Sequence, residues 1–338
     1  MSIELICNEW VADRGPGVAV AVIQDGEVTF KQGFGWADMD EETDITPDTV
    51  FDLASVSKHI TAMAVMVLAE RGDLSYDDPL TNFFPDFPAY ANDITVRHLL
   101  QHTGGLVDYM TVWDATVEDE DSEWSEDDHP TSEDILALLM AEEEPEFAAG
   151  KKFEYSNSGY MVLAQIVGQV AGKPFPQFVK EELFKPAGLR KALVYDESDP
   201  DIANRACSYE ANNDDAYENA DEHNLDRVYG DGAVNCTLNE LILWNKALDE
   251  HKLVSEEAQQ EAWTAGTLGD GEEHEYGFGW FVSETDDGEL LVNHEGSWLG
   301  FRTAITKIPS QGLTVIALAN FADAEPGELV DQILEEVG

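Results

Sequence analysis

Strand patterns occupy the two end portions of this sequence, and helix patterns fill the middle. Residues 17–35 have the pattern of two strands, and the Asp25-Gly26 dipeptide between them favours the tight turn of a β-hairpin. Later in the chain, strand-like segments separated by turn residues follow one another: EYGFGWFVSE, ELLVNHEG, FRTAITKIP and LTVIALANF. The simplest topology that pairs these strands is one antiparallel sheet assembled from both ends of the chain.

Helix patterns with recognisable start and stop signals lie between the two groups of strands. They run from about Ser55 to Arg71, over 131–143, over 158–172 and over 236–250, and a last one begins at about Pro326. We therefore predict an α+β fold, in which an antiparallel β-sheet is flanked by helices and an all-helical region is inserted.

The same patterns predict two domains. Residues 1–75 and 235–338 would form the sheet domain, and residues 76–234 would form a mainly helical domain. Ligand sites commonly lie between such parts, so we expect the functional site where the sheet and the helical region meet.

Acidic residues outnumber basic residues by 70 to 18, which gives a formal net charge of −52. Hydrophobic residues still make up 43% of the chain, enough for a sizeable core, so the charge does not indicate disorder. Nucleic acids and anionic membrane surfaces repel such a protein, so neither is expected as a partner. The expected partner is a small-molecule or peptide substrate. Two origins fit the acidity: halophilic adaptation to high salt, or deliberate engineering for solubility.

The sequence contains no recognisable export or membrane signal. The stretch MSIELICNEWVADRG has neither a basic beginning nor a long apolar run, and no segment reaches the roughly 18 apolar residues of a membrane span. The cytoplasm is the predicted location, although an exported protein whose leader has been removed would give the same pattern. The oligomeric state is left open.

Ser55 and Lys58 stand one turn apart at the start of a helix whose next residues, ITAMAVMVLA, are apolar nearly all round. An amine beside a hydroxyl accepts its proton only where burial or nearby positive charge favours the uncharged amine. A buried helix N-terminus supplies burial, and its dipole favours negative charge on an attacking oxygen. The S-x-x-K spacing alone is a weak signal, because a chance match with a solvated lysine looks the same. In this setting it indicates a nucleophile and its proton acceptor.

Tyr155 and Asn157 belong to the sequence YSN just before another predicted helix. A tyrosine at a helix N-terminus can take or give a proton, and the asparagine amide can bind a substrate amide. A surface turn with an asparagine cap is the structural alternative. Tyr217 and Asn219 form a second Y-x-N, but their loop is highly polar and no apolar helix follows it, so we prefer the Tyr155 copy.

His294, Gly296 and Ser297 lie at the end of the predicted strand ELLVNHEG. A glycine at a strand edge allows a substrate backbone to approach closely. The N–H groups of Ser55 and Ser297 would then form an oxyanion hole. A core or rim histidine is the alternative for His294. The competing copy, HTG beginning at His102, follows a predicted short helix, where its glycines resemble a helix C-cap.

Neither a metal ion nor an organic cofactor is predicted. His98 and His102 form H-x-x-x-H, but Leu99 stands where a zinc hydrolase has glutamate, and no third ligand is evident. A structural pair on a helix is the preferred interpretation. The glycine-rich YGDGAVN lacks the lysine of a phosphate-binding loop.

Taken in order, S-x-x-K, Y-x-N and H-x-G make this sequence resemble the serine β-lactamase and penicillin-binding-protein superfamily. The resemblance is closer to the branch that holds class C β-lactamases, D-alanyl-D-alanine carboxypeptidases and related esterases. It covers nearly the whole chain, since ITVRHLLQHTGGL, YGDGAVNCTLNELILWNKAL and HEGSWLGFRTAI also resemble that branch. It implies an antiparallel sheet flanked by helices beside an all-helical region, and no cofactor.

The resemblance implies a role for each motif residue. Ser55 would be the acylated nucleophile, Lys58 would share its proton, and Tyr155 would be the partner acid or base. Asn157 would orient the substrate. His294 would take the cationic position of the third motif, which is lysine in the β-lactamases.

Two departures from the resemblance bear on the substrate. His294 instead of lysine points away from class C β-lactamases and toward peptidase or esterase members, and Glu295 occupies a position that is more often small. Arg302, six residues after Gly296, is a candidate for binding a substrate carboxylate. An ordinary strand-edge arginine is the equal alternative.

Together these residues indicate a serine hydrolase that works through an acyl-enzyme. Its substrate would be an ester, a D-amino-acid peptide or amide, or a β-lactam. The alternative is a catalytically idle module that binds peptide or peptidoglycan-like ligands. None of the nucleophile or proton-transfer positions is lost from the sequence, which favours the enzyme.

Overall fold

The computed structural model of the protein describes residues 2–12, 14–196, 202–212 and 216–337. The strands in these residues are β1 (Val18–Gln24), β2 (Glu27–Phe34), β3 (Trp36–Asp38), β4 (Thr43–Asp44), β5 (Val50–Asp52), β6 (Leu193–Val194), β7 (Tyr209–Ala211), β8 (Tyr217–Asn219), β9 (Val234–Thr237), β10 (Gly266–Thr267), β11 (Glu273–His274), β12 (Phe281–Glu284), β13 (Leu290–Trp298), β14 (Phe301–Ile308) and β15 (Leu313–Ala319). The α-helices are α1 (Ile3–Trp10), α2 (Lys58–Arg71), α3 (Val96–Leu100), α4 (Tyr109–Glu118), α5 (Ser132–Ala141), α6 (Asn157–Ala171), α7 (Phe175–Phe178), α8 (Lys185–Ala187), α9 (Leu238–Asp249), α10 (Glu256–Ala262) and α11 (Pro326–Val337).

The centre of the fold is a six-stranded sheet in the order β12-β13-β14-β15-β1-β2, in which every neighbouring pair is antiparallel. β1 pairs with β15 over its whole length, and Val18 lies opposite Ala319. The β1–β2 hairpin turns at Asp25 and Gly26, which both have positive φ, 51° and 78°. The predicted α+β fold, with an antiparallel sheet built from both ends of the chain, is confirmed.

Helices cover both faces of this sheet. Ala19 and Ala21 of β1 belong to the core that contains α2 and α9, whereas Val20 and Val22 belong to the core that contains α1 and α11. Because both faces of β1 are buried, its sequence is apolar without the alternation of a half-exposed strand.

α2 is buried along most of its length, since every residue from Lys58 to Leu68 is buried. Such a helix needs no polar face, which explains the apolar run after Lys58. It ends at Gly72, which has a φ of 75° and donates its N–H to the carbonyls of Leu68 and Ala69. The predicted first turn differs, because Ala54–Ser57 is a 3₁₀ turn and the α-helix begins at Lys58.

The region between the two parts of the central sheet holds α3 to α8, together with the short strands β6, β7 and β8. β6 joins β5 and β9 in a three-stranded sheet of order β5-β9-β6. Asp52 in β5 lies opposite Asn235 in β9, so the segment 229–235 is held beside the residues that follow Asp52. The domain boundaries stay a prediction.

The predicted final helix is α11, which buries Leu329, Val330 and Ile333 and packs against β14 and β15. Neither α11 nor any other helix in the described part of the chain is long and apolar enough to cross a lipid bilayer. The cytoplasmic location stays a prediction.

Candidate active site

Ser55 lies in a strained turn between β5 and α2. Ala54 just before it has a φ of 47°, a left-handed conformation that is costly for a residue with a side chain. The Ala54 N–H donates to Asp52 Oδ1 at 2.7 Å, which holds the turn in this conformation. Ser55 is therefore presented by a backbone that the surrounding structure constrains.

Lys58 is completely buried beneath Ser55, at 0% exposure. Its Nζ donates to Ser55 Oγ at 3.0 Å, to Asn157 Oδ1 at 2.9 Å and to the Asp231 backbone carbonyl at 2.9 Å. These contacts saturate Nζ: an ammonium group donates in all three, whereas an uncharged amine donates to the two carbonyl oxygens and accepts the Ser55 hydroxyl. All three partners are uncharged groups, and no carboxylate of a described residue forms an ion pair with Lys58.

Tyr155 and Asn157 lie on either side of Ser156, the residue just before α6. Ser156 caps this helix, because its Oγ accepts the Gly159 N–H at 3.3 Å. The Tyr155 ring centroid lies 4.9 Å from Lys58 Nζ. The Tyr155 hydroxyl is buried and has no hydrogen-bond partner among the described residues. Tyr155 therefore has its ring beside the amine that contacts Ser55, and its hydroxyl has no partner among the described residues.

β13 packs directly against the turn that carries Ser55. A methyl group on Gly296 would lie 2.4 Å from the Leu53 carbonyl oxygen and 2.4 Å from Thr303 Oγ1. Thr303 Oγ1 itself donates to the Leu53 carbonyl at 2.7 Å. The close approach predicted for Gly296 is thus made by the protein's own backbone rather than left open for a substrate. It brings Ser297, the next residue, to the cavities beside Ser55.

His294 is buried, and burial favours its uncharged form, which weighs against the cationic role that the resemblance implies; that role stays a prediction. Its Nδ1 lies 2.6 Å from the Glu295 carbonyl, which can only accept, so Nδ1 donates and Nε2 accepts from the Tyr276 hydroxyl at 2.9 Å. Burial, and secondarily the charge of Lys58, lower the pKa of His294 to about 3. In its uncharged form this histidine supports the site through its contacts and supplies no positive charge to a ligand.

Arg302 lies opposite Ser297 in the β13–β14 pair and lines a cavity that also contains Ser55. Its Nη1 donates to the carbonyls of Leu299 and Phe301, at 2.7 and 2.8 Å. This nitrogen is therefore occupied by the protein's own chain, which favours the strand-edge alternative over carboxylate binding.

Two cavities meet at Ser55 and Ser297. The larger has a volume of about 1510 Å³ including its open mouth, and Tyr155, His294, Gly296 and Arg302 contribute to its lining. The smaller has a volume of about 430 Å³, and its lining includes Asn157, Tyr109 and Asp231. The structure therefore brings the predicted site residues together around one serine, with Lys58 buried underneath.

The second Y-x-N copy, at Tyr217, and the HTG copy, at His102, do not take the positions of Tyr155 and His294. Tyr217 and Asn219 form β8, which pairs with β7. His102 instead packs its ring against Tyr155, with centroids 4.3 Å apart, and its Nδ1 accepts the Ser156 N–H at 3.0 Å. His98 Nδ1 likewise accepts a backbone N–H, from Thr95 at 3.1 Å.

Asp231 is a site residue that the sequence interpretation missed. It lies in YGDGAVN, which the sequence analysis considered as a phosphate-binding loop and as part of the resemblance, without assigning a role to Asp231. Its backbone carbonyl accepts from Lys58, and its Oδ2 accepts the Tyr109 hydroxyl at 3.0 Å. The glycines on either side of it were the available signal, because they indicate a segment that approaches other backbone closely: a methyl group on Gly230 would lie 2.5 Å from the Tyr160 carbonyl.

Comparison with known proteins agrees with this geometry. A family model described as Beta-lactamase matches residues 4–337. Penicillin-binding protein 4* of Bacillus subtilis (strain 168) is 31% identical over 312 residues, which cover 89% of this chain and 67% of that protein. The D-aminopeptidase of Brucella anthropi is 27% identical over 312 residues, which cover 91% of this chain and 56% of that protein.

Solved structures give the same answer for the fold. The octameric penicillin-binding protein homologue from Pyrococcus abyssi has a TM-score of 0.83 and 27% sequence identity, and the match covers 97% of this chain and 74% of that chain. The curated relatives are longer proteins, since this chain spans 67% of the Bacillus protein and 56% of the Brucella protein.

Proposed function

Because this chain belongs to the Beta-lactamase family, we propose that it is a serine hydrolase that forms an acyl-enzyme on Ser55. The observation that carries the proposal is the 3.0 Å hydrogen bond between Lys58 Nζ and Ser55 Oγ. It lies at the meeting point of two cavities, so the hydroxyl is reachable while the amine is buried. A hydroxyl paired with a buried amine is an arrangement that activates a nucleophile.

The proposed reaction has two stages. Ser55 Oγ attacks a substrate carbonyl carbon and gives its proton to the Lys58–Tyr155 pair, while the N–H groups of Ser55 and Ser297 donate to the oxyanion. The bond to the leaving group then breaks, and the same pair returns the proton to that group. Water next attacks the acyl-enzyme and gives one proton to the pair. The bond between the acyl carbon and Ser55 Oγ then breaks, the pair returns that proton to Ser55 Oγ, and the acid leaves. Asn157 orients the substrate, because its Oδ1 is held by Lys58.

We propose esters and D-amino-acid amides or peptides as substrates ahead of β-lactams. In its uncharged form, His294 offers no cation to the carboxylate of a β-lactam, and Arg302 Nη1 already donates to two backbone carbonyls. The likeness to a D-aminopeptidase supports the amide and peptide part of this substrate class.

Intact-protein mass spectrometry tests the proposal. The protein is incubated with an activated short-chain ester, with a D-alanyl-D-alanine peptide and with a chromogenic cephalosporin, at low and high salt. We expect a covalent adduct with the ester that is absent from Ser55→Ala. Reversible binding without any adduct would instead favour the idle binding module.

We also propose that the acidity is an adaptation to high salt. With a net charge of −52, self-repulsion in the folded state is screened by salt and grows as salt is withdrawn. The protein should therefore unfold more readily at low than at molar KCl. A melting temperature that is insensitive to KCl over this range would favour engineered acidity.

A further inference from the structure

Buried carboxylates are scarce in this molecule, although acidic residues are abundant. Of the acidic side chains in the part of the chain that the structure describes, three are buried: Asp52, Asp231 and Glu240. Two of them, Asp52 and Asp231, line the smaller cavity beside Ser55, and the half-buried Asp226 lines it as well. This concentration of carboxylates is separate from the general acidity of the protein surface.

Asp231 has an oxygen atom that lacks a partner. The side chain is 6% exposed, and its Oδ2 accepts the Tyr109 hydroxyl. Its Oδ1 is buried and receives no hydrogen bond from any described residue. Lys58 cannot serve it, because Nζ is already saturated by its contacts with Ser55, Asn157 and the Asp231 carbonyl. A buried carboxylate oxygen without a donor is unfavourable, so a donor from a ligand would complete this site.

The other two acids of the lining accept hydrogen bonds from uncharged groups. Asp226 Oδ1 accepts the Trp298 indole N–H at 3.0 Å, and Asp52 Oδ1 accepts the Ala54 N–H at 2.7 Å. Burial raises the pKa of Asp52 to about 6 and raises the pKa of Asp226. No lysine, arginine or histidine among the described residues lines the cavity, and the cations that interact with these acids, Lys58 and Arg205, lie outside its lining. A cation entering the cavity would therefore meet carboxylates on the lining itself.

We propose that this smaller cavity is a subsite for a primary ammonium group of the substrate, with Asp231 as its main acceptor. An ammonium group carries the positive charge and the three N–H donors that the cavity lacks. A substrate carboxylate in the same position would face like charges and is rejected. The proposal rests on the proposed function and narrows its substrate class to amino-substituted esters and amides.

Matched substrates test the subsite directly. The p-nitroanilides of alanine, lactic acid and methylmalonic acid carry an ammonium, a hydroxyl and a carboxylate group on the same carbon atom. Turnover of both hands of each is measured in molar KCl, which screens the long-range field of the protein. We expect kcat/KM to fall in the order ammonium, hydroxyl, carboxylate, with about tenfold or more between the first two.

Two variants locate the effect. Asp231→Asn keeps an oxygen for the Tyr109 hydroxyl but removes the charge, and it should reduce the ammonium-over-hydroxyl preference about tenfold. Asp286→Asn makes the same change of net charge at an exposed turn residue that lines neither cavity, and it should leave the preference within about twofold. Equal loss in both variants, or no preference in the unmodified protein, would overturn the subsite.

A failure of the proposed function has a different signature. It would appear as no turnover of any anilide and no adduct with an activated ester. Calorimetric titration of Ser55→Ala with alaninamide and lactamide then decides the subsite by itself. Tighter binding of alaninamide supports the subsite without catalysis, and equal binding of the two refutes it.

Discussion

Lys58 and Lys307 are both buried, at 0% and 2% exposure, but they differ in the groups that surround them. Lys307 Nζ in β14 forms an ion pair with Asp249 at 2.8 Å, donates to Thr314 Oγ1 at 3.2 Å and contacts Asn245 Oδ1. Lys58 Nζ contacts only a hydroxyl, an amide oxygen and a backbone carbonyl. Lys307 therefore has a counter-ion in direct contact, whereas no carboxylate oxygen of a described residue contacts Lys58 Nζ, although the Asp231 carboxylate interacts with it electrostatically.

This difference distinguishes Lys307, which has a structural role, from Lys58, for which we propose a role in proton transfer. Burial lowers the pKa of Lys307, and Asp249 opposes that shift and holds the positive charge, so the pair ties β14 to α9. Lys58 has no carboxylate in direct contact, and the hydroxyl that it contacts belongs to the proposed nucleophile. Burial alone therefore does not identify a functional lysine, whereas the charge of its partners does.

The largest expected effect tests the partner of Lys58. Ser55→Ala should lower kcat/KM for an activated ester by about 10⁴-fold or more, because the attacking oxygen is gone. The melting temperature should stay nearly unchanged, since only one hydrogen bond to Lys58 is lost. Steady-state kinetics and thermal unfolding check the two parts. If Ser55→Ala lowered kcat/KM by only a few fold, Ser55 would not be the nucleophile, and the proposed proton-transfer role of Lys58 would be contradicted.

The next effect tests Lys58 itself. Lys58→Met keeps the length of the side chain and should lower kcat/KM by about 10³-fold, because proton transfer from Ser55 is lost. The free energy of unfolding should change by less than about 1 kcal/mol, since the lost hydrogen bonds are offset by removing a buried charge. Retained activity together with a large loss of stability would make Lys58 a structural lysine like Lys307.

Lys307→Met should show the opposite pattern. We expect the free energy of unfolding to fall by about 2 kcal/mol, because Asp249 loses its counter-ion and Asn245 and Thr314 lose a donor. Urea unfolding measures this loss, while kcat/KM should remain within about twofold. Adding Asp249→Asn should recover part of the stability. No recovery in the double variant would contradict the ion-pair explanation.

A change in pH dependence, with no expected loss of stability at neutral pH, tests whether the third-motif histidine is uncharged beside Lys58. Burial lowers the pKa of His294 from its ordinary value of 6.5 to about 3 in the folded protein, so between these values the unfolded chain binds more protons. The stability contribution is therefore complete above about pH 6.5 and is lost as pH falls toward 3, by up to about 1.4 kcal/mol per pH unit.

His294→Gln should accordingly show a shallower fall of the unfolding free energy between pH 6 and 4. His59 and His102 also have lowered pKa values and remain in the variant, so the slope is reduced rather than abolished. Asp52, with its raised pKa, acts in the opposite direction and is common to both proteins. Parallel curves for the two proteins would mean that His294 is charged after all.

Much of the fold could be predicted because its main strands are long enough to show a pattern. β1, β14 and β15 each span seven or eight residues. The Asp25-Gly26 turn between β1 and β2 is also recognisable in the sequence. The short strands β6 to β8 span two or three residues, too few for a period to be visible. They form because neighbouring segments pair with them, which is a tertiary effect.

The sequence predicted which side chains form the site. It did not predict their contacts or the charge of His294, because these depend on the surrounding residues in the fold. The Asp231 carbonyl holds Lys58, but a backbone carbonyl has no signature in the sequence. The charge of His294 depends on burial and on Tyr276, which lies eighteen residues away in the chain. The catalytic roles of Ser55, Lys58 and Tyr155 stay predictions that the variants above test.

The pairing of β1 with β15 has a consequence for the biogenesis of this protein. Residues near 20 pair with residues near 317, so a ribosome must synthesise about 300 further residues after β1 before the sheet can close. Contacts so distant in sequence slow folding, and until then the apolar residues of α2 remain available to chaperones. Ser55 is synthesised early, but it meets Ser297 only when β13 arrives. The nascent chain is therefore expected to be catalytically silent until β13, β14 and β15 have been synthesised.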